Sequence, residues 1–392
     1  MLNKTYTFIT ICLAHLIRAL SYLVPRSDKI WVCIGWHNSS QREIFADNSK
    51  YFFLYLQNEQ PDCKAVWISR DKKMAEILTS HGYSSYYMHT IKGIYYALRA
   101  KYTIVDAKIH TRNWKFSGGS RVTQLWHGKG MKKSGHDGNY NSSHSYFKTP
   151  AFHLKYDSLV ATSQKTASLL SKAFSQPVED IMITGQPRTD IFYREIKGSE
   201  IDTDQSLSDL IKEARKTNKK KTILYAPTFR ADGSNPFAQL TEDKLLALNT
   251  ILQKNNYLFI LSLHPKFAAR DVINTNKYSH IESIAAGFDM YPYFDEIDTV
   301  ITDYSNIYID FLLLDKEVIF FTFDEERYRK LTGLHEDFNT LTPGPHVKTF
   351  NELLLSIENE DIYMQMRSDV RKILFKQEDG DASQRIYSLL TK

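Results

Sequence analysis

The chain alternates short apolar runs with longer amphipathic stretches from residue 29 to residue 185. Runs such as KAVWIS (64–69) have the length of buried strands, whereas DNSKYFFLYLQN (47–58) carries apolar residues at helical spacing. Alternating strands and helices predict a mostly parallel sheet with helices on both faces. A similar alternation resumes between residues 221 and 321. We therefore expect an α/β protein of two doubly wound, Rossmann-like domains that face each other across a cleft.

The individual strands and helices are predicted from the spacing of apolar residues and from the polar residues at the ends of each run. In the first set we predict strands at 29–35, 64–69, 102–107, 122–128, 158–163 and 181–185, and helices at 47–58, 71–82, 91–101 and 163–174. The second set has predicted strands at 222–229, 257–265, 298–303 and 317–321. Helices at 351–358, 362–376 and 382–390 are predicted to close the chain.

A polar, charged segment separates the two sets. From Tyr193 to Lys221 apolar runs are replaced by charged residues, and the segment ends in three lysines. Such composition marks a domain boundary because few buried contacts cross it. A chain of 392 residues with 42% hydrophobic content can bury two cores. We predict a first domain at 25–195, a linker at 196–220 and a second domain at 221–392.

Residues 1–24 are apolar enough to suggest a signal peptide or a membrane span. His15 and Arg18 interrupt the run, and no small-residue cleavage site follows it. In a helix these two side chains share an arc of roughly 140° with Thr7, Thr10 and Ser21, while leucines and isoleucines fill the rest. The pattern favours an amphipathic helix lying in a membrane interface over one that crosses the membrane. Docking on the protein's own surface is the alternative.

Positive charge is concentrated between residues 99 and 133, where nine Lys or Arg residues accompany one acid, Asp106. Over the whole chain 50 basic residues only slightly exceed 45 acidic ones, so no nucleic-acid partner is predicted. A basic run of this kind is either a solvated surface or a contact for an anionic partner.

Cysteine usage and common motifs indicate neither a metal nor a bound cofactor. Cys12, Cys33 and Cys63 show no CxxC spacing, which favours a reducing, cytosolic compartment over a disulfide framework or a zinc site. The GxxxxGK[ST], HExxH and GxGxxG patterns are absent. Of two Asp-x-Asp pairs, the one at 202–204 falls in the predicted linker. We expect a metal-independent site.

Four predicted strands end in a polar or titratable residue, and such ends converge on the cleft in doubly wound domains. The residues concerned are His127, Thr228 with Arg230, His264, and Asp303 with Ser305. The stretch 299–321 predicts a strand, a helix and a strand, with its polar residues at the helix start, where free N–H groups and the helix dipole favour a phosphate. A turn of purely structural function is the alternative there.

Three of these side chains suit phosphate chemistry. A neutral imidazole at His127, followed by Gly128, could take a proton from a hydroxyl nucleophile. Arg230 offers a planar fork of donors to a phosphate, and His264 could donate to a phosphate oxygen or to a leaving group. Their structural alternatives are a loop-orienting hydrogen bond for a histidine and a surface ion pair for the arginine.

The ordered set of segments resembles the CDP-glycerol glycerophosphotransferases, which build teichoic acids and related capsular polymers. The resemblance covers nearly all of the chain after the N-terminal helix. The matching segments are FADNSKYFFLYL (45–56), LWHGKGMKKSG (125–135), TGQPRTD (184–190), ILYAPTFR (223–230), LHP (263–265), ITDYSNIYIDF (301–311), PGP (343–345) and EDGDASQRI (378–386).

The resemblance implies a GT-B fold, attachment to the cytoplasmic face of the membrane, and transfer of glycerol phosphate from CDP-glycerol to a lipid-linked or polymeric glycan, with release of CMP. His127 matches the proposed general base, and the other assigned residues lie on the donor side or the acceptor side. The donor side comprises His264, Arg230, Thr228, Asp303, Ser305, Ser383 and Arg385, with His264 also assigned to catalysis. Lys129, Lys132 and Lys133 are assigned to the acceptor or to the anionic membrane surface.

The chain departs from the family pattern at two places. Ser305-Asn306 stands where the family usually shows paired serines, and Lys129-Gly130 where a Thr-Pro is common. A CDP-ribitol or nucleotide-sugar transferase on the same fold is an alternative function. A non-catalytic protein that binds an anionic glycopolymer is another. The number of units transferred is left open.

Overall fold

The computed structural model describes residues 2–35, 43–107, 114–128, 130–138, 155–228, 230, 232–263, 273–285 and 287–392. Within these ranges the chain forms two parallel sheets, and each sheet has a hydrophobic cluster on either face. The two clusters of a sheet arise because its central strands, such as residues 31–34, are buried on both sides. Alternation of strands and helices therefore predicted the architecture correctly.

The first sheet has the strand order β3-β2-β1-β4-β5-β6-β7, with every neighbouring pair parallel. Its central register pairs Val32 with Val66 on one side and with Thr103 on the other. The predicted strands are confirmed, and the three-residue edge strand β3 was too short to show a period. The strands are β1 (Ser27–Ile34), β2 (Lys64–Ser69), β3 (Ser85–Tyr87), β4 (Ala100–Val105), β5 (Arg121–Gln124), β6 (Ser158–Ala161) and β7 (Ile181–Ile183).

Three helices of the first domain begin at residues whose side chains cap them. The Asp71 side chain accepts from the backbone of Lys73, and the Thr90 side chain accepts from Gly93. Ser163 and Thr166 form a reciprocal capping box. The helices are α2 (Asp47–Glu59), α3 (Lys72–Ser80), α4 (Ile91–Arg99) and α5 (Gln164–Phe174), as predicted to within a few residues.

The second sheet repeats the same doubly wound order, β10-β9-β8-β11-β12-β13. The edge strands β10 and β13 were not predicted. The strands are β8 (Lys221–Tyr225), β9 (Tyr257–Leu263), β10 (Ile281–Ala285), β11 (Thr299–Thr302), β12 (Glu317–Phe321) and β13 (His346–Val347). The helices are α6 (Gln205–Lys216), α7 (Glu242–Asn255), α8 (Ile307–Phe311), α9 (Glu325–Leu331), α10 (Phe350–Glu358) and α11 (Met364–Leu374).

The last helix, α12 (Ala382–Thr391), returns to the first domain. Its Ile386 and Leu390 are buried in the same cluster as Trp31 and Tyr55. The predicted range 221–392 for the second domain needs this correction. The sequence did not reveal the crossover because an amphipathic helix shows that one face is buried and not against which domain.

The predicted linker at 196–220 is also more ordered than expected, since it contains α6. The Asp204 side chain caps this helix by accepting from the backbone of Leu207. Leu207 and Ile211 pack in a cluster with Val300 of the second sheet. Most of the segment therefore belongs to the second domain, because its charged residues cover one face of a helix whose other face is apolar.

A buried ion pair joins the domains. Lys50 Nζ of α2 lies 2.8 Å from Asp289 Oδ2, and both side chains are fully buried. The hydroxyl of Tyr51 donates to the same carboxylate at 2.8 Å, and the ammonium also donates to the carbonyls of Ser199 and Ile201. Because every charge here is paired and hydrogen-bonded, the contact between the two domains buries no uncompensated charge.

Helix α1 (Leu2–Ser21) docks on the first domain through its polar arc. Arg18 donates to the carbonyl of Trp114 at 2.6 Å, Ser21 Oγ accepts from the backbone of Gly118 at 3.0 Å, and the His15 ring lies 5.0 Å from that of Trp114. The leucines and isoleucine of the other arc point outward: Ile9, Leu13, Leu16 and Leu20 are each more than half exposed. The helix is present and amphipathic as predicted, while its position in a membrane interface stays a prediction. Among the described helices none is long and apolar enough to cross a membrane.

Candidate active site

The turn after β5 carries His127 in a backbone held from several directions. Trp126 adopts a positive φ of 56°, which is uncommon for a bulky residue and requires support from its surroundings. That support comes from the Gln124 side chain, which accepts from the Trp126 backbone N–H at 2.8 Å, and from Asn48 Nδ2, which donates to the Trp126 carbonyl at 2.6 Å. The strained turn places the imidazole at the carboxyl edge of the sheet.

The geometry sets the tautomer of His127. Nδ1 lies 3.3 Å from the carbonyl oxygen of Asp106, which directly follows the neighbouring strand β4. A carbonyl only accepts, so Nδ1 carries the proton and Nε2 presents a lone pair. Burial lowers the pKa of His127 to about 4, opposed by Asp47 and reinforced by Lys132 and Arg188. The imidazole is therefore neutral at pH 7 and able to accept a proton at Nε2.

Behind this turn lies a buried charge cluster around Arg188. Its guanidinium is 2.7 Å from Asp47 Oδ1 and 2.9 Å from Asp310 Oδ2, and its backbone N–H donates to Asn48 at 3.1 Å. Asp310 belongs to α8 of the second domain and also accepts from the Tyr291 hydroxyl at 2.5 Å. The cluster therefore joins both domains directly beneath the histidine turn.

The facing wall is formed at the topological switch point of the second sheet, between β8 and β11. Asp303, just after β11, accepts through Oδ1 from the backbone of Thr228 at 2.8 Å and from that of Tyr304 at 2.5 Å. Its Oδ2 lies 2.8 Å from Arg230 Nη2. The predicted residues Thr228, Arg230 and Asp303 thus meet at the position where doubly wound sheets bind ligands.

Arg230 is more occupied than expected for a phosphate ligand. Besides Asp303, its guanidinium binds both oxygens of Asp324 and donates to the Thr228 carbonyl, and the side chain is 3% exposed. Direct contact with a phosphate remains a prediction, and it requires the guanidinium to give up one of these carboxylates. Within the described part of the chain the buried Thr228 hydroxyl has no hydrogen-bond partner, and a ligand that reached it could supply one.

Ser305 and a neighbouring cavity complete the donor-side wall. Ser305 precedes the short helix α8, and its Oγ accepts from the backbone of Ile307 at 3.4 Å. Beyond Asp324 a cavity of about 670 Å³ opens along the carboxyl ends of the strands. A cavity of this volume is large enough for a small ligand. Its lining includes Asp232, Thr322, Asp324, Arg327, Lys330 and Lys348.

The basic loop after His127 lies against the second domain. Lys132 bridges to Leu334, and the Lys133 backbone donates to the carbonyl of Gly333 at 3.0 Å. Burial lowers the pKa of Lys132, while the negative charge of Asp303 acts in the opposite direction. The position suits the acceptor alternative predicted for Lys132 better than the membrane alternative.

Two predicted donor residues lie elsewhere. Ser383 is 1% exposed, and its backbone donates to Asp190 at the start of α12. Arg385 binds Asp379 and the carbonyl of Thr184. In this structure both hold α12 on the first domain, and their assignment to the donor stays a prediction. A shared motif did not show which domain its helix packs against.

Some of the predicted site lies outside the described residues. His264 and Lys129 fall in this part of the chain, and their roles stay predictions. Among the residues that the structure describes, no group of three or more His, Cys, Asp or Glu side chains could hold a metal ion. The metal-independent mechanism likewise stays a prediction.

Sequence reasoning missed Arg188, Asp47, Asp310 and Asn306 as parts of the site. Arg188 and Asp310 lay inside the segments TGQPRTD and ITDYSNIYIDF, so the signal was present. The sequence did not show that these two charges form a pair. They are 122 residues apart in the chain and meet only in the folded structure.

Two doubly wound domains with strand carboxyl ends facing one cleft define a GT-B type protein, a class that binds a nucleotide donor between its domains. More particularly, the chain belongs to the CDP-glycerol:poly(glycerophosphate) glycerophosphotransferase family, whose model matches residues 22–392. This confirms the predicted family and transferase class.

Curated relatives are teichoic acid enzymes. The chain is 26% identical over 386 residues to the teichoic acid ribitol-phosphate primase of Bacillus spizizenii, covering 95% of this chain and 94% of that protein. It is 28% identical over 312 residues to the teichoic acid glycerol-phosphate primase of Bacillus subtilis, covering 77% and 76%. To the poly(ribitol-phosphate) polymerase of B. spizizenii it is 28% identical over 273 residues, and the match spans only 42% of that relative.

Solved structures support the fold. The wall teichoic acid polymerase TagF superposes with a TM-score of 0.74 at 20% identity, covering 100% of this chain and 98% of that one. Staphylococcus aureus MnaA in complex with UDP gives a TM-score of 0.57 at 15% identity, covering 93% and 96%. The predicted GT-B fold is therefore confirmed.

Proposed function

We propose that this protein transfers glycerol phosphate from CDP-glycerol to a hydroxyl of a membrane-linked or polymeric acceptor, releasing CMP, in the synthesis of teichoic acid or a related capsular polymer. Family membership and the similarity to a glycerol-phosphate primase support this function. So does TagF, which was solved after a soak with CDPG. No bound cofactor is required by the proposal.

The observation that carries the proposal is the orientation of His127. Its Nδ1 is committed to the Asp106 carbonyl, so Nε2 is the atom that can take a proton. The acceptor hydroxyl gives its proton to Nε2 and attacks the phosphorus that bears glycerol. The new phosphorus–oxygen bond forms as the bond to the CMP phosphate breaks, and CMP departs with the bonding electrons.

The second domain supplies the donor side. Phosphoryl transfer depends mainly on positioning and on neutralising charge. In our proposal the Thr228 hydroxyl, the Ser305 turn and the predicted His264 receive the diphosphate, and Arg230, held by Asp303 and Asp324, keeps the strand ends of this wall in place. Lys132, which lies near Asp303, neutralises charge where the acceptor meets the donor.

A donor panel tests the proposal. We expect CMP release from CDP-glycerol in the presence of acceptor, and its loss in His127→Gln. CDP-ribitol is the second candidate donor, because the match to the ribitol-phosphate primase covers 94% of that protein. UDP-sugars probe the nucleotide-sugar alternative. Release from CDP-ribitol or a UDP-sugar alone would overturn the glycerol assignment, and retention of a glycopolymer without release from any donor would support a binding protein.

We also propose that the protein is peripheral to the cytoplasmic face of the membrane. The outward arc of α1 supports this, since Leu13, Leu16 and Leu20 are each more than half exposed while the polar arc is docked. Apolar side chains on an otherwise docked helix are suited to the boundary between headgroups and acyl chains. Basic residues between 99 and 133 would add attraction to anionic headgroups.

A further inference from the structure

The side chain of Asn306 bridges the two domains at the histidine turn. Its Nδ2 donates to the carbonyl of Gly128 at 2.9 Å, and its Oδ1 accepts from the backbone N–H of Gly130 at 2.9 Å. Asn306 precedes α8 in the second domain, whereas both glycines follow β5 in the first. One amide group thus binds the backbone immediately after His127 from across the cleft.

The Asn306 side chain makes these bonds across the cleft instead of capping its own helix. An asparagine just before a helix usually accepts from a backbone N–H of the first turn. Asn306 makes no such capping bond, and the Ser305 hydroxyl accepts from Ile307 instead. The Asn306 amide is therefore committed to the other domain.

The turn is shaped around this amide. A Cβ added at Gly130 would lie 2.2 Å from Asn306 Oδ1, and one added at Gly128 would lie 2.7 Å from Arg188 Nη2. Gly128 also has a φ of +84°, which favours glycine. Any side chain at either position would displace the Asn306 amide, the Arg188 guanidinium or the turn itself.

Anchors of the histidine turn are divided between the domains. On the amino-terminal side, Gln124 and Asn48 bind the backbone of Trp126, and all three belong to the first domain. On the carboxyl-terminal side, Asn306 provides two bonds from the second domain. The imidazole lies between these two sets of anchors.

We propose that Asn306 is a positioning residue that holds the imidazole of His127 in its working orientation when the two domains adopt this arrangement, so that the base is in place only beside the donor-bearing domain. The catalytic meaning of this inference rests on the proposed function.

Asn306→Asp tests the bond that the amide nitrogen of Asn306 donates. The aspartate keeps an acceptor for the Gly130 N–H but sets an oxygen against the Gly128 carbonyl. With CDP-glycerol and acceptor, we expect kcat to fall on the order of tenfold, the effect of about one lost hydrogen bond, while the KM for CDP-glycerol changes little. Asn306→Ala, which loses both bonds without adding a charge, should also lower kcat, and Asn351→Asp, an exposed position in the first turn of α10, is the matched control.

The pH profile separates positioning from general stability. The groups that face His127 are Asp47 of α2, Arg188, Lys132 of its own loop and the carbonyl of Asp106. A loosened turn admits water, so the apparent pKa on the acid side of kcat/KM should rise from about 4 toward the ordinary histidine value in Asn306→Ala, which adds no charge beside the imidazole. Melting temperatures identify any variant that fails to fold. An unchanged kcat and an unchanged profile in a folded Asn306→Ala would overturn the inference.

A second measurement does not depend on activity. NMR titration of the His127 imidazole, assigned by its loss in His127→Gln, reports the same change without any substrate. If the wild-type chain releases no CMP, the proposed function fails while this titration still tests Asn306. A His127 titration identical in the wild type, Asn306→Asp and Asn306→Ala would overturn the positioning role even in an active enzyme.

Discussion

The guanidinium of Arg230 donates to both carboxylate oxygens of Asp324, through Nε at 2.7 Å and Nη2 at 2.9 Å. The same Nη2 lies 2.8 Å from Asp303, and the rings of Tyr304 and Tyr328 lie within 5.3 Å of the guanidinium carbon. A planar fork is required to hold two carboxylates at once. Arg230 therefore connects the ends of β8, β11 and β12.

Loss of the Arg230 guanidinium should lower the stability of the fold more directly than it lowers the rate of the reaction. Arg230→Gln leaves Asp303 and Asp324 without their cation, and we expect it to lower the free energy of unfolding by about 3–5 kcal/mol in urea titrations. Arg230→Lys keeps a charge without the bidentate geometry and should cost less. Lys348, two-thirds exposed in its ion pair with Glu325, provides the surface control Lys348→Gln.

Comparison with Asp324→Asn distinguishes positioning from direct phosphate contact. If Arg230 acts through the carboxylates, Arg230→Lys and Asp324→Asn should raise the KM for CDP-glycerol to a similar extent. If the guanidinium itself binds the diphosphate, Asp324→Asn frees it, and only the arginine variant should weaken donor binding. We expect the first result, because the guanidinium is already enclosed by carboxylates.

The pKa of His127 predicts an acid limb in the pH dependence of the reaction. The neutral imidazole is the base, so activity should be present above the pKa and lost as the pH falls through it. For kcat/KM, which reports the free enzyme, we expect the limb near pH 4. For kcat the limb should lie at higher pH, because a bound anionic donor raises the pKa of a neighbouring imidazole.

Two histidine variants check this assignment. His127→Gln should reduce kcat by about 10²–10⁴-fold and remove the limb. His81→Gln, at an exposed position at the end of α3, should change neither. A limb near pH 6.5 in kcat/KM of the wild type would contradict the buried, neutral imidazole.

The exposed arc of α1 predicts reversible membrane binding. Leu13→Glu with Leu16→Glu replaces two side chains that are each more than half exposed, so the fold should be unaffected while affinity for anionic vesicles falls at least tenfold. The reason is that each leucine inserted contributes about 1.5–3 kcal/mol. Co-sedimentation with vesicles measures the change.

The matched control uses exposed leucines away from α1. Leu246→Glu with Leu355→Glu alters side chains that are 61% and 60% exposed on α7 and α10. Vesicle binding that is equal in both double variants would contradict the role of α1. Point substitutions are preferable to deletion, because deletion also uncovers Trp114, which the helix contacts.

Local patterns predicted most of the framework. The β1, β2, β11 and β12 runs are apolar over strand length, and the helices beside them show 3.6-residue spacing, so burial periodicity identified each one. Edge strands β3 and β13 were not predicted, because two or three residues are too few to show an alternating apolar pattern. The strand ends at His127 and Asp303 followed from the framework, since parallel strands present their carboxyl ends at one edge.

The sequence by itself determined the fold class, the two-domain alternation, the amphipathic first helix and the turns that carry His127, Thr228, Arg230 and Asp303. Only the tertiary structure decided that α12 returns to the first domain, that Arg230 is held by two carboxylates, and that Asn306 binds the histidine turn. The physical reason is the separation along the chain of the residues that interact. Periodicity records which face of an element is buried, whereas an ion pair or an amide bridge depends on which distant residues meet when the domains pack together.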